Sequence, residues 1–151
     1  MNTIYKKNFW KSLLYRQNNH HNHGVFWHTF WVTYYLIKNK HYKMIAAGIL
    51  HDIGKPLVAK ADAKDIAKGE GELSFTNHEE ISYLMIKDWK FLSEYSKQIV
   101  RHHYLVRSIS KAKEKGETLK HRRLQRRWDG LSKEVQADLV SFFKCDDLGK
   151  K

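Results

Sequence analysis

Residues 43–56 read KMIAAGILHDIGKP, and this stretch decides the fold. Its first eight residues form a short, very apolar helix. An imidazole and a carboxylate, His51 and Asp52, arrive together where that helix ends. Gly54 and Pro56 are the stop signals expected there. Working outward, Val25 to Lys38 is a second helix, with Phe26, Phe30, Val32 and Leu36 among its apolar positions. The polar run QNNHHNHG, residues 17–24, separates it from an amphipathic segment. That segment carries Ile4, Tyr5, Phe9, Trp10, Leu13 and Leu14 at helical spacing.

On the other side, Leu57 to Phe75 is a polar loop containing Gly69 and Gly71. Thr76 or Asn77 can cap a helix running through Trp89, with Glu79 and Glu80 in its favourable first turn. A further helix spans Ser93 to His103. Residues 104–128 are basic, ambiguous and broken at Gly116. Ser132 starts a last helix that carries Leu139, Phe142 and Phe143 toward Asp146. The reading is all-α, with six or seven helices in one domain over residues 1–151.

Size and composition agree. A chain of 151 residues that is 42% hydrophobic and 13% aromatic builds one packed core and is too rich in core formers for disorder. One proline and eight glycines disfavour a turn-rich sheet protein. No apolar run approaches the roughly 18–20 residues of a membrane span, so no membrane partner is expected. Phe9 to Leu14 is too short, and too interrupted by Lys11 and Ser12, for a signal peptide. The single cysteine, Cys145, excludes an internal disulfide and fits a reducing cytosol, so a cytoplasmic location is expected.

The net charge of +12 is uneven: Lys97 to Arg127 holds eleven Lys and Arg against Glu114 and Glu117. Such a stretch attracts polyanions. A solvated helix face is the plain alternative.

Five places carry groups suited to chemistry: His28, the pair His51-Asp52, His78, the pair His102-His103, and the pair Asp146-Asp147. Imidazole and carboxylate are the mixed ligand set that suits Mn, Fe, Ni, Co or Zn. Neighbouring His and Asp at one helix end point about 100° apart, so both can reach one ion or two adjacent ions in a bundle core. Taken singly, each residue has an ordinary reading. His28 can be a core histidine, His51-Asp52 a dipole partner, His78 a helix-start residue, and Asp146 or Asp147 a carboxylate on a fraying end. Of His102 and His103, one is expected to be solvated.

The order of these residues resembles the HD-domain superfamily of metal-dependent phosphohydrolases. The run from Ile49 to Pro56 is similar to its central signature. The chain most resembles the HD region of bacterial CCA-adding tRNA nucleotidyltransferases. Phe75-Thr76-Asn77-His78-Glu79 follows that region's loop, Ile99-Val100-Arg101-His102-His103 its next helix end, and Arg126-Arg127-Trp128 through Asp146 its last segment. The resemblance covers about residues 24–149. It implies His28, His51, Asp52 and Asp146 as the minimal metal site, with His78 and His103 either as ligands of a second ion or as histidines contacting phosphate. It selects His103 over His102 by its slot, and Asp146 over Asp147 because the small Cys145 precedes it. One or two divalent transition-metal ions are implied, with Mg also fitting.

The resemblance also implies Asp52, Lys55, His78 and His103 in catalysis, with Lys55 offsetting phosphate charge. Arg101 and Arg107 are candidate substrate contacts. The polymerase core that precedes such a region in the tRNA enzymes is absent, so nucleotidyl transfer is not implied. The expected reaction is hydrolysis of a nucleotide or RNA-end phosphate ester, as a phosphatase or 2′,3′-cyclic phosphodiesterase. A nucleoside-triphosphate or dinucleotide hydrolase is the enzymatic alternative. The alternative outside enzymes is a nucleic-acid-binding module with a structural or vestigial metal site, in which Trp128 stacks on a base. Lys111, Lys113, Lys115, Lys120, Arg122 and Arg123 are the residues expected to line an approach for long polyanions.

Overall fold

The structure is a computed structural model that describes residues 24–58, 60–61 and 73–150. Eight α-helices lie among the described residues. They are α1 (Val25–Lys38), α2 (Ile45–Leu50), α3 (Lys55–Val58), α4 (His78–Ile86), α5 (Glu94–His102), α6 (Leu105–Glu114), α7 (Thr118–Asp129) and α8 (Lys133–Leu148). A 3-10 turn, Tyr42–Met44, leads into α2. A two-residue antiparallel pair sets Lys60 opposite Ser74 and Ala61 opposite Leu73. The all-α class expected from the sequence holds.

Six of these helices run nine residues or more, in line with the six or seven expected, and α2 and α3 are short. Residues 104–128 contain few apolar positions, yet they form two full helices turned at Gly116, whose φ of +66° suits glycine. In addition, α2 does stop at Leu50, but Pro56 opens a new helical turn as the second residue of α3. The first turn of a helix does not need the N–H that proline lacks. The Ile4–Leu14 segment lies outside the described residues.

Two caps behave as the sequence indicated. The side-chain hydroxyls of Ser93 and Ser132 accept from the N–H groups of Ser96 and Val135, at 3.1 and 3.3 Å. The cap of α4 differs. Asn77 adopts a left-handed φ of 64° and makes no side-chain cap bond, and the helix ends at Ile86 rather than Trp89. Asparagine tolerates that conformation better than most residues.

Helix α1 packs on α2 and α8, α2 on α5, α4 on α3 and α5, and α8 on α5 and α6. Val32, Leu36, Met44, Ala47, Ile53, Met85, Ile86, Ile99, Val100, Leu139 and Phe142 fill the space between them. The α6–α7 hairpin has a smaller core of Leu105, Ala112 and Leu124. Trp128 and Leu131 pack against both clusters. Trp128 is thus a packing residue between two cores, which disfavours the base-stacking role considered for it. Among the described residues, no helix is long and apolar enough to cross a membrane.

Candidate metal centre

Four helix ends and one helix interior deliver the ligand-type side chains to one place. His28 comes from α1, and His51 and Asp52 from the turn closing α2. His78 is the first residue of α4, His103 follows the last residue of α5, and Asp146 lies in the last turns of α8. All six are buried. An apolar core tolerates so many polar groups only where they satisfy one another or bind an ion.

The four imidazoles share one device. Each Nδ1 lies against a main-chain carbonyl oxygen: His28 on Gly149 at 3.0 Å, His51 on Gly48 at 2.8 Å, His78 on Phe75 at 2.9 Å and His103 on Val100 at 2.7 Å. A carbonyl only accepts, so each Nδ1 carries the proton and donates. Each Nε2 is therefore the ligand atom, and its direction is fixed by the main chain.

The Nε2 atoms meet in two pairs. Those of His28 and His51 are 3.2 Å apart, and those of His78 and His103 are 3.1 Å apart. Two imidazole lone pairs at this distance repel each other unless a proton or metal ion lies between them. Asp52 joins the pairs. Its Oδ2 lies 3.3 Å from the Nε2 of both His28 and His51, while its Oδ1 lies 3.3 Å from that of His78 and 3.8 Å from that of His103. Asp146 Oδ1 completes the first pair, 3.0 Å from His28 and 3.5 Å from His51.

The electrostatics favour positive charge in this cage. Burial alone would lift the Asp52 carboxyl, but the neighbouring His51 and Lys55 hold it well below the usual carboxylate range. Asp146 is likewise held down against its burial by His28 and His51. Burial works against a charged His51 ring, yet Asp52 and Asp146 raise it to about 9. For His103, burial comes first and the neighbouring His51 and His78 add to it, so the ring is pushed well below its ordinary value. Two groups have geometry able to hold a metal ion: His28, His51 and Asp146, and His51, Asp52 and His103. The donor set of imidazole nitrogens and carboxylate oxygens fits a divalent transition metal.

Close packing sets the spacing. A Cβ on Gly54 would lie 2.6 Å from both the His78 carbonyl oxygen and the Ser82 nitrogen. The Gly54 N–H donates to Ser82 Oγ at 2.9 Å. The bare backbone lets the Asp52 turn touch α4 at the residue that carries a ligand.

A rim of cations surrounds the cage. Lys55 is buried, with Nζ 2.6 Å from Asp52 Oδ2. Lys150 bridges Asp146 Oδ2 at 3.1 Å and Asp147 Oδ1 at 2.7 Å. Arg107 pairs with Asp147 and lies over the rings of Phe143 and Tyr104. Lys111 donates to the Tyr104 hydroxyl at 3.1 Å, and the Tyr104 ring stands 5.3 Å from that of His78.

Arg101 is engaged elsewhere, holding Glu80 through two hydrogen bonds at 2.9 and 3.0 Å and covering the Tyr83 ring. His102 turns toward Arg127, its Nδ1 accepting at 3.4 Å. Burial, with Arg127 and Arg101 adding to it, pushes its pKa down to about 4. Asp147 faces Arg107 and Lys150 rather than the imidazoles. Sequence reasoning missed Tyr104 and Lys150. The i to i+4 spacing of Asp146 and Lys150 was the available signal for the second.

Comparison with known proteins agrees with this architecture. The family model described as HD domain matches residues 25–136. No curated protein and no solved structure matches the chain. The matched span contains five of the six clustered residues, and Asp146 lies beyond it.

Proposed function

The chain belongs to the HD domain family, whose members are typically metal-dependent hydrolases, and from that premise we propose that it hydrolyses a phosphate ester of a nucleotide or an RNA end. The observation that carries the proposal is the placement of Asp52, with one carboxylate oxygen facing each imidazole pair. His28, His51, Asp52 and Asp146 would hold one ion, and Asp52, His78 and His103 a second. When bound, such ions supply Lewis acidity toward a phosphoryl oxygen and lower the pKa of water.

The remaining work falls to the chain's own residues. Lys55 sits against the carboxylate that both pairs share and is the nearest side-chain cation for an incoming phosphoryl group. Arg107 is oriented by Asp147 and the Phe143 ring, ready to bind a second phosphate oxygen. Tyr104 packs edge-on against the His78 ring, 5.3 Å between centroids, and helps hold that imidazole in place. The likeness to the HD region of CCA-adding enzymes favours an RNA-end or 2′,3′-cyclic phosphate. The grouping of Arg107, Lys111 and Lys150 near one edge favours a second reading, a nucleoside triphosphate, whose chain of phosphates would meet several cations at once.

The test is a reconstitution screen. Protein stripped of metal and reloaded singly with Mn, Fe, Co, Ni, Zn or Mg is assayed for phosphate release. The panel holds nucleotides, cyclic nucleotides, dinucleotides and an aryl phosphate ester. Activity with at least one ion, abolished in Asp52→Ala together with its bound metal, is the expected result. Full metal content and full turnover in Asp52→Ala would falsify the site.

A further inference from the structure

The chain has 21 lysines and only seven arginines, yet four of the arginines fall on two turns of α7: Arg122, Arg123, Arg126 and Arg127. A generally lysine-rich composition does not produce that concentration. All four are exposed, and Leu124 is the one buried residue of the helix. The spacing sets Arg122 beside Arg126 and Arg123 beside Arg127 at i, i+4, where like charges destabilise a helix.

The acids close by do not relieve them. Glu117 pairs with Lys120, and Asp129 accepts from Gln125. Arg127 meets the His102 ring at 3.4 Å rather than a carboxylate. Among the described residues, Arg122, Arg123 and Arg126 have no carboxylate partner. Arg122 and Arg126 line a surface cleft with His121 and Gln125.

We infer that this face of α7 docks the phosphodiester backbone of a single-stranded nucleic acid. The inference rests on the phosphohydrolase reading and names a polymer as the substrate of that same cage. Guanidinium forks match phosphate oxygens bidentately, which suits arginine better than lysine. Four of them on one helix supply the charge that a bound strand would neutralise.

The face is also tied to the cage. Arg127 contacts His102, the neighbour of His103. On the adjoining helix, Lys111 reaches Tyr104, which stands against His78. The cage is buried, so a single strand, thinner and more pliable than a rigid duplex, is the form of nucleic acid inferred. Leu119 is exposed on the same helix, so an anionic lipid surface is the competing partner.

The experiment compares the wild type with the triple variant Arg122→Gln, Arg123→Gln, Arg126→Gln. Binding of a labelled single-stranded RNA about 20 nucleotides long is followed by anisotropy between 50 and 200 mM salt, without metal. Each phosphate contact on a single strand adds about 0.7 to the slope of log affinity against log salt. The variant should lose about 2 from that slope, so the wild type loses roughly 20-fold more affinity across the range. Turnover of an aryl phosphate by the metal-loaded variant should be unchanged, and its melting temperature should not fall.

An unchanged slope overturns the inference while leaving the phosphohydrolase reading intact. Stronger retention by phosphatidylserine vesicles than by RNA, lost in the variant, overturns it in favour of a membrane. If the wild type binds RNA with the expected slope but hydrolyses no phosphate ester with any metal, the phosphohydrolase reading fails and the substrate role fails with it.

Discussion

Gly54→Ala isolates the spacing between the two halves of the cage. The added Cβ would stand 2.6 Å from two backbone atoms of α4 and 2.9 Å from Ser82 Oγ. Carbon contacts settle at about 3.5 Å, so the Asp52 turn and α4 must part by about 0.9 Å. His78 begins α4, and its Nε2 stands 3.3 Å from Asp52 Oδ1. Ligand distances in a metal site hold to about 0.2 Å, so a displacement several times larger separates His78 from the shared carboxylate. His28 and Asp146 belong to α1 and α8, and neither supplies any of the three atoms nearest the added Cβ.

The substitution should therefore remove the ion of the His78–His103 half and leave the other. Overpacking of this kind costs about 1–3 kcal/mol, which at this chain length lowers the melting temperature by roughly 3–10 °C. Metal content after reconstitution and desalting, read beside a thermal melt, tests both parts. The control is Gly116→Ala, which strains a positive φ but meets no atom within 4 Å. It should cost about 1–2 kcal/mol without altering metal content. A Gly54→Ala protein with wild-type metal content and a melting temperature within about 1 °C of wild type would refute the reasoning.

Three further outcomes follow from the cage. His103→Ala should lose metal from its half and most turnover, whereas His102→Ala should keep its metal, because that ring faces Arg127; the reverse result in a metal assay sinks the assignment. Lys55→Gln should lower kcat/KM for a phosphate ester by about 10–100-fold, the worth of one charge-assisted contact, without weakening metal binding; equal turnover would remove Lys55 from substrate binding. In metal-free protein the His51 ring is raised to about 9 from an unfolded value near 6.5. Its contribution, at most about 3 kcal/mol, is therefore fully present below about pH 6.5 and lost as pH rises through about 9. Metal displaces that proton, so stabilisation by added metal should grow over the same range; a metal-free melting temperature that stays flat from pH 6.5 to 9.5, about the window set by those two values, contradicts this.

Residues whose meaning is local were legible in the sequence. Ser93 and Ser132 announce helix starts because a hydroxyl at that position bonds the N–H three residues on, and both do so. The six clustered residues could be named because the order of His and Asp along the chain is itself a pattern. What the sequence hid depends on the third dimension. Asn77 looks like a side-chain cap, but here its backbone conformation makes the turn. Pro56 reads equally as a stop and as the opening of another turn, and the packing of α3 on α4 decides. Arg101 and Arg107 look alike in the sequence, yet Glu80 claims the first and Asp147 the second. Nothing near either arginine in the chain foretells those partners.

The cage also bears on the order of events in folding. His28 meets Asp146 across 118 positions and Gly149 across 121, whereas the α6–α7 hairpin closes through near neighbours in the chain. Distant closures carry the larger entropic cost and tend to form late, after local helix pairs are in place. An ion that needs His28, His51 and Asp146 together then has no site in the unfolded chain and little of one in the transition state. It stabilises only the finished molecule, slowing unfolding while leaving the folding rate nearly untouched. The lifetime of the native state, rather than its rate of formation, is then what a bound ion would control.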